Sequence, residues 1–213
     1  MNILVTGSSR GIGKAVAEYF LAKGHVVYGM DVNPTGIQHV NYTHFQSDIT
    51  KELPELPEMD ILINNAGVQQ ENDIDVNLKG TIRVTEKYAF HKGIRSVIFM
   101  ASASARNGAE FPEYVASKGG ILAYMKNVAL RLAAYGGTAN SISAGGVKTP
   151  LNAHIMNDPD KWEAVLNETL LHKWAEPEEI AAFTYFLSVE NKSMTGEDLL
   201  IDNGEMLKSN FIW

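Results

Sequence analysis

Tyr114 and Lys118 stand four residues apart in the stretch Tyr114-Val115-Ala116-Ser117-Lys118. A helix would place both side chains on one face, with the lysine ammonium beside the tyrosine phenol. A free tyrosine titrates near pH ~10, which is too high for acid or base work at neutral pH. A neighbouring cation favours the phenolate and lowers that pKa, so the pair predicts proton transfer. Solvated helices often carry such a pair by chance, and the prediction therefore depends on what else the chain supplies.

A glycine-rich loop near the N-terminus has the features of a phosphate-binding turn. The stretch from Asn2 to Thr6 predicts a buried strand, and Gly7-Ser8-Ser9-Arg10-Gly11-Ile12-Gly13 leads from it into a helix closed by Lys23-Gly24. In such an arrangement the backbone N–H groups and the helix dipole bind a pyrophosphate. Glycines also serve plain tight turns, so the loop gains its meaning from the strand before it and the helix after it.

Acidic residues follow the next two predicted strands. Asp31 lies 18 residues after Gly13, where a carboxylate accepts hydrogen bonds from the adenosine ribose hydroxyls of a dinucleotide. The alternative is an ordinary turn or cap aspartate before Asn33-Pro34. Asp48, followed by Ile49, either faces the adenine ring or caps the next turn.

The composition excludes several classes of protein. The chain has 213 residues, of which 45% are hydrophobic and 20% charged, as in a globular domain. A net charge of −7 argues against a nucleic-acid surface, and the lack of cysteine excludes disulfides and thiolate metal sites. The six histidines show no His-x3-His spacing, so we expect no metal site. No apolar run approaches the ~20 residues of a membrane span, and no signal peptide precedes the first strand, so we expect a cytoplasmic protein.

Strands and helices alternate along the chain, as in a single α/β domain over residues 1–213. Strands are predicted at 2–6, 25–30, 42–46, 60–63, 96–101, 138–143 and 199–202, and helices at 13–24, 78–89, 113–134 and 177–189. Asn65-Ala66-Gly67 follows the fourth strand, where small residues and amides suit close approach of a cofactor. The connections after Asp31 and across Pro54 and Pro57 leave little room for a crossover helix.

Taken in order, these residues resemble the short-chain dehydrogenase/reductase family over nearly the whole chain. The matching positions are Thr6-Gly7-x3-Gly11-x-Gly13, Asp31, Asp48, Asn64-Asn65-Ala66-Gly67, Asn77, Ser102, Tyr114-x3-Lys118, Gly145-x-Val147-x-Thr149, Thr195-Gly196 and Leu199-Leu200-Ile201-Asp202. The resemblance implies an NAD(P)-binding fold of seven parallel strands in the order 3-2-1-4-5-6-7, with helices on both faces.

The resemblance also implies a role for each matching side chain. Tyr114 is the expected acid/base, Lys118 lowers its pKa and holds the nicotinamide ribose, and Ser102 hydrogen-bonds the substrate oxygen. Asn77 is expected to hold a water that relays protons. Ser9, Arg10 and Ile12 belong to the dinucleotide loop, and Gly145, Val147 and Thr149 are expected against the nicotinamide.

Several departures from the family pattern affect these roles. Ser102 precedes Tyr114 by 12 residues, slightly fewer than usual, which makes Ser104 an alternative. The segments before Asp48, before Asn64 and before Asn77 are all short for the family. The last of these shortens the helix that leads to Asn77, which affects both the role of that residue and part of the usual dimer contact.

Three functions are compatible with these residues. The first is an oxidoreductase that interconverts a secondary alcohol and a ketone. The second is an NAD(P)-binding sensor or regulator, which needs only the glycine loop and Asp31. The third is a sugar-nucleotide epimerase or dehydratase, whose scaffold has another glycine spacing and a larger C-terminal domain. The complete set of Ser102, Tyr114 and Lys118 favours the first.

Cofactor, substrate and assembly are predicted as follows. Asp31 repels a 2′-phosphate whereas Arg10 attracts one, and the shorter range of the Asp31 contact favours NAD over NADP.

The segment 148–176 is expected to cover the substrate, and its Trp162, Trp174, Met156 and Ile155 indicate either an apolar or ring-bearing substrate or simple cover for the sheet. Small residues on the 113–134 helix and the apolar tail from Met206 to Trp213 predict a homodimer or homotetramer.

Overall fold

The computed structural model describes residues 1–207, so most of the predicted contact tail Met206 to Trp213 lies outside the described residues. All seven strands run parallel in one sheet, in the order β3-β2-β1-β4-β5-β6-β7. The strands are β1 (Asn2–Thr6), β2 (Val26–Asp31), β3 (Tyr42–Gln46), β4 (Ile61–Asn64), β5 (Ser96–Met100), β6 (Thr138–Ala144) and β7 (Asp198–Ile201). The predicted order and the parallel arrangement are confirmed.

Helices connect the strands on both faces of the sheet. The α-helices are α1 (Gly11–Ala22), α2 (Thr81–Tyr88), α3 (Ser104–Asn107), α4 (Pro112–Leu132), α5 (Ala153–Met156), α6 (Pro159–Asn167) and α7 (Pro177–Tyr185). Two π-helices (Ile74–Gly80 and Phe186–Glu190) and three 3₁₀ turns (Ala133–Tyr135, Pro150–Asn152 and Glu205–Leu207) complete the elements of residues 1–207. The sequence did not predict α3, α5 or α6. The first two have only four residues each, too few to show a periodic apolar pattern.

Two hydrophobic cores cover the two faces of the sheet. Alternate residues of β1 point to opposite faces, so Leu4 joins one core while Ile3 and Val5 join the other. The core that contains Leu4 packs against α2 and α4, and the core that contains Ile3 packs against α1 and α7. The sheet is therefore held between two helical layers, and the carboxyl ends of its strands meet along one edge.

A tyrosine supports the sheet where a crossover helix is missing. Residues 32–41, between β2 and β3, form no helix, as predicted. The phenol of Tyr42 lies over Gly29 so closely that any Cβ there would overlap it. The same hydroxyl lies 3.1 Å from Ser8 Oγ in the glycine loop. One side chain thus links β3 to the loop that α1 begins from.

The link from β4 to α2 is also compressed. The π-helix Ile74–Gly80 runs directly into α2, and the loop before it holds Gln70 and Asn72 in the left-handed region, at φ 65° and 56°. Non-glycine residues rarely adopt that conformation, so neighbouring contacts must hold this loop in place. The link delivers Asn77 to the centre of the molecule.

Adjacent glycines of α4 face different surroundings, which gives a direct test of the packing. Apart from its own helix, no atom of residues 1–207 lies within 4 Å of a Cβ added at Gly119, whereas a Cβ at Gly120 would lie 2.7 Å from Leu78 Cδ2. The homo-oligomer remains a prediction, with Gly119 on an open part of the small-residue face.

We expect Gly119→Ala to raise the free energy of unfolding by ~0.5–1 kcal/mol, since alanine favours a helix interior over glycine. Gly120→Ala is expected to lower it, because the new methyl group overpacks against Leu78. Urea unfolding of both variants measures the difference. Equal effects of the two substitutions would contradict the described packing of α4.

Candidate active site

A cavity of about 690 Å³ opens along the carboxyl ends of the strands. It reaches from the glycine loop after β1 to the first turns of α4. The predicted site residues that line it are Gly7, Arg10, Gly11, Ile12, Asp31, Asp48, Ile49, Asn65, Ala66, Gly67, Ser102, Tyr114, Lys118, Gly145, Val147 and Thr149. Ser9, Gly13 and Asn77 do not line it. The fold thus brings together residues that the chain spreads over more than 140 positions.

The glycine loop is shaped by close backbone contacts. Gly7 has φ 67°, and a Cβ there would lie 2.8 Å from the Cα of Ala66. A Cβ on Gly13 would overlap the carbonyl oxygen of Gly7, so Gly13 serves the packing of the loop without facing the cavity. Asn65 Nδ2 donates to the carbonyls of Thr6 and Gly7 at 3.0 and 3.1 Å. These contacts leave an open cradle at the start of α1.

The N-terminus of α1 is free to bind an anion. The residue that precedes the helix is Arg10, whose side chain makes no capping hydrogen bond, and the first turn holds no acidic residue. The first backbone N–H groups of a helix have no partner within the helix and carry partial positive charge. The loop and helix therefore fit the pyrophosphate of a dinucleotide.

Asp31 lies at the end of β2 and is only 8% exposed. Its Oδ2 accepts the Ser9 backbone N–H at 3.0 Å, and its Oδ1 accepts the backbone and side-chain N–H groups of Asn33 at 2.8 and 3.0 Å. An ionised carboxylate has about four acceptor positions, so a position on Oδ2 remains for a ribose hydroxyl. Ser9 contributes by orienting Asp31.

Asp48 caps the turn after β3, and its place against an adenine ring remains a prediction. Its Oδ1 accepts the backbone N–H and the hydroxyl of Thr50 at 2.8 and 2.7 Å, which caps the turn after β3 and lowers the pKa of Asp48. Asp48 also lines the cavity, together with Ile49. The cap fixes the carboxylate at the cavity wall.

Ser102 and Tyr114 face each other across the cavity. Ser104 Oγ donates to Ser102 Oγ at 2.7 Å, and the Ser102 hydroxyl interacts with the Tyr114 phenol. Of the two serines, Ser102 is the one that acts on the tyrosine directly, and Ser104 orients it.

Burial controls the acidity of the catalytic pair. Burial raises the pKa of Tyr114 to about 12, although the Ser102 hydroxyl lowers it. Burial lowers the pKa of Lys118, which is 5% exposed, to about 8. Lys118 Nζ donates to the carbonyl of Met100 at 2.9 Å and lies 5.6 Å from the centre of the Tyr114 ring. The net direction for Tyr114 is therefore upward, because loss of solvent around the phenol dominates, and the lowering effect of Lys118 remains a prediction.

Asn77 serves the loop that carries it. Its side chain is 0% exposed, and Oδ1 accepts the Val68 N–H at 2.8 Å. Nδ2 donates to the Val68 carbonyl and to Ser117 Oγ, each at 3.0 Å. Nδ2 also donates to Asp73 Oδ1 at the longer distance of 3.4 Å, so the side chain anchors the short loop to α4, and its expected role in holding a water remains a prediction.

The segment after β6 forms one wall of the cavity. Trp174 and Ile155 line it, whereas Trp162 and Met156 do not, and Trp162 instead packs edge-on against Trp174 at 5.1 Å. His154 also lines this wall, but Lys148 pairs with Glu176 at 2.6 Å outside it. Trp174 thus lines the cavity with Trp162 packed behind it, and contact of this wall with a substrate remains a prediction.

Carboxyl groups that the sequence did not indicate also surround the cavity. Glu110, Glu168 and Glu205 line it, and Asp73 is buried behind Tyr114 and Lys118. Burial raises the pKa of Glu205, and Asp202 and the two other cavity glutamates raise it further. The spacing of Asp73 and Asn77, four residues apart before a helix, was the one available signal. The glutamates follow no local pattern, because three distant segments supply them.

The part of the chain from residue 1 to 207 contains no helix with the length and hydropathy to cross a membrane. It also contains no group of three or more His, Asp or Glu side chains placed to hold a metal ion.

Comparison with known proteins places this fold and site in a family. Residues 7–205 match the sequence profile of the family described as enoyl-(acyl carrier protein) reductase. The 3-oxoacyl-(acyl-carrier-protein) reductase FabG of Buchnera aphidicola subsp. Acyrthosiphon pisum (strain APS) is 29% identical over 234 residues, covering 94% of this chain and 95% of the relative. The aligned length exceeds the 213 residues of this chain, so FabG has extra residues relative to it.

Two solved structures share the fold. A 4-hydroxyisoleucine dehydrogenase mutant complexed with NADH and succinate has a TM-score of 0.88 at 24% identity, covering 99% of this chain and 100% of the other. A candidate 2-deoxy-D-gluconate 3-dehydrogenase from Agrobacterium tumefaciens with bound NADP has a TM-score of 0.85 at 25% identity, covering 97% and 96%. The chain belongs to the short-chain dehydrogenase/reductase family, as the sequence predicted.

Proposed function

We propose that the chain is an NAD(P)-dependent oxidoreductase that interconverts a secondary alcohol and a ketone. The observation that carries this proposal is the single cavity that joins the glycine loop to Ser102, Tyr114 and Lys118. A protein that only binds a dinucleotide has no need of a buried tyrosine–lysine pair at the end of its cavity. FabG is named a reductase, and the two solved relatives hold NADH or NADP, which supports the same proposal.

The lining residues divide into those that hold the dinucleotide and those that face the reacting groups. The loop from Gly7 to Gly13 with the start of α1 holds the pyrophosphate, and Asp31 accepts a hydroxyl of the adenosine ribose. Lys118 holds the second ribose, and the turn from Gly145 to Thr149 lies against the nicotinamide. A bound nicotinamide supplies or accepts the hydride.

Tyr114 supplies the proton in the reductive direction. With a pKa of about 12 its phenol stays protonated at neutral pH, so it can donate that proton to the carbonyl oxygen that becomes the alcohol. Ser102 hydrogen-bonds the same oxygen and holds it near the phenol. The positive charge of Lys118 then favours the phenolate that remains. In the reverse direction the phenolate accepts the proton of the alcohol.

The segment 148–176 covers the substrate in this proposal. Its lining residues include Leu151, Ile155, Val165 and Trp174, which form an apolar wall opposite the catalytic pair. Such a wall excludes water from the reacting groups and strengthens the electrostatic interactions there.

The catalytic role of Tyr114 is tested by removing its hydroxyl. We expect Tyr114→Phe to reduce kcat by ~10²-fold or more, since positioned general acids contribute about that much, with cofactor affinity unchanged. Ser102→Ala is expected to reduce kcat more than Ser104→Ala. Nicotinamide absorbance with a panel of alcohols and ketones measures turnover, and Tyr135→Phe, at an exposed tyrosine, is the matched control. Undiminished turnover in Tyr114→Phe would contradict the mechanism.

Cofactor choice follows from the two charged residues at the adenosine end. Asp31 is held in place by Ser9 and Asn33, whereas Arg10 is exposed and makes no ion pair within residues 1–207. We expect the parent to prefer NAD, because a fixed carboxylate near the 2′ position repels a phosphate. Asp31→Asn should narrow the NAD/NADP ratio of kcat/KM by about tenfold or more. A parent that prefers NADP would show that Arg10 outweighs Asp31.

The acidic residues at one end of the cavity predict which substrate charge the site prefers. The carboxylates at this end form no ion pair within the described chain; they belong to Glu110, Glu168 and Glu205. A negatively charged group on the substrate would therefore lie near carboxylates whose charge no cation compensates. We compare substrates that share a carbon skeleton and differ in the charge of one substituent. We expect kcat/KM to be about tenfold or more higher for the substrate with a neutral or ammonium substituent than for the one with a carboxylate. Glu205→Gln should narrow that ratio. A preference for the carboxylate-bearing substrate would sink this prediction.

A further inference from the structure

Asp73 is a buried carboxylate that no proposed step uses. It is 2% exposed and does not line the cavity, so it touches neither cofactor nor substrate. Its two oxygens accept the Gln70 backbone N–H at 2.9 Å and Asn77 Nδ2 at 3.4 Å. Within residues 1–207 it has no ion-pair partner, whereas the exposed Asp75 pairs with Lys79 at 2.6 Å. A buried carboxylate without a cation is costly, so its retention here needs a reason.

Asp73 belongs to a chain of contacts that ends at α4. Asn77 Nδ2 donates a hydrogen bond to Asp73 Oδ1 on one side and to Ser117 Oγ, at 3.0 Å, on the other. Ser117 is the residue immediately before Lys118. The loop between Asp73 and β4 contains the left-handed residues Gln70 and Asn72, and the Gln70 contact pins it. Asp73 therefore fixes Asn77, and through Asn77 the turn of α4 that carries the catalytic lysine.

Gly67 brings this chain of contacts close to the ammonium of Lys118. A Cβ added at Gly67 would lie 3.1 Å from Asn77 Oδ1 and 3.5 Å from Lys118 Nζ. Asn77 Oδ1 and Lys118 Nζ thus lie close to each other on either side of Gly67, whose lack of a side chain leaves the space between them open. The negative charge behind Asn77 acts on a lysine that has lost its solvent, where charges interact more strongly than in water.

We infer that Asp73 is a positioning residue of the active site, whose buried carboxylate lies behind the catalytic pair and whose hydrogen bond holds Asn77 against the turn of α4 that carries Lys118. The inference rests on the proposed function for its catalytic meaning. It supplies a reason for the compressed link between β4 and α2, because that link brings a carboxylate to the back of the catalytic pair. In this way the chain offsets part of the burial of the lysine with a carboxylate that lies outside the cavity.

The charged and titratable groups around Lys118 act in known directions. Asp73 and Glu110 both raise the pKa of Lys118 against the larger effect of burial, and Asp73 has the larger effect of the two. The same two carboxylates raise the pKa of Tyr114, which shares the α4 face with Lys118. Removing the Asp73 charge should therefore make Lys118 lose its proton at a lower pH, while Tyr114 remains protonated at neutral pH.

The direct test is the titration of Lys118 by NMR in protein labelled with ¹³C-lysine, with its signal identified by its loss in Lys118→Met. We expect the Lys118 midpoint in Asp73→Asn to lie on the order of one pH unit below the parent. Glu110→Gln should give a smaller shift in the same direction, and Asp75→Asn, at the exposed aspartate, none. This measurement does not depend on turnover. Coincident titrations of the parent and Asp73→Asn would overturn the inference.

The catalytic consequence is read from the pH profile of ketone reduction. Because reduction needs the Lys118 ammonium, kcat should fall as pH rises through the Lys118 pKa of about 8. In Asp73→Asn the fall should begin at lower pH by the same interval as the NMR shift, and Asp73→Glu should restore the parent profile. A purely structural role would lower kcat at every pH without moving the profile, which would also overturn the inference.

Two controls separate the possible failures. Circular dichroism and thermal unfolding establish that each variant is folded. If Asp73→Asn does not fold, Asp73→Ser retains an acceptor for the Gln70 N–H without the charge and is measured in the same way. A parent that reduces no ketone contradicts the proposed function alone, since the NMR titration still decides the role of Asp73.

Discussion

The burial of the Lys118 ammonium is the constraint on which the site depends. A lysine at 5% exposure loses most of its hydration. Among the described residues, the Met100 carbonyl accepts a hydrogen bond from the ammonium, and more distant carboxylates favour its charge. Met100 is the last residue of β5, so the lysine ties α4 to the end of that strand. The same burial that weakens the charge places it beside the phenol of Tyr114. The Lys118 side chain therefore affects both the stability of the fold and the chemistry of the site.

The compression of the chain explains several local features. Where longer family members have crossover segments, this chain uses single side chains to hold the same geometry. Tyr42 bridges β3 to the glycine loop, and Asn77 bridges the β4 link to α4. A π-helix replaces the first turns before α2, and such helices are found mostly at functional sites. Each bridge is buried or half-buried, so its loss would reach the cavity directly.

The cavity has an uneven distribution of charge. Its adenosine end carries Asp31 and Arg10, and its far end carries glutamates from three separate segments beside an apolar wall. Glu205 receives a backbone hydrogen bond from Gly146 in the turn after β6, which fixes a carboxyl next to the proposed nicotinamide position. The proposed selectivity at that end therefore depends on charge as well as on shape.

The sequence by itself determined the strands, their order through the family resemblance, and a set of site residues of which all but Ser9, Gly13 and Asn77 line the cavity. Short-range patterns encode these features: short apolar runs define strands, glycines define the loop after β1, and a spacing of four places Tyr114 and Lys118 on one helical face. Pro54 and Pro57 likewise excluded a helix between β3 and β4, as the structure shows. Only the tertiary structure decided the direction of the Tyr114 pKa, the use of the Asn77 amide, and the convergence of Asp73 and the glutamates. These depend on which groups from distant segments displace water around one another, and no local spacing records that.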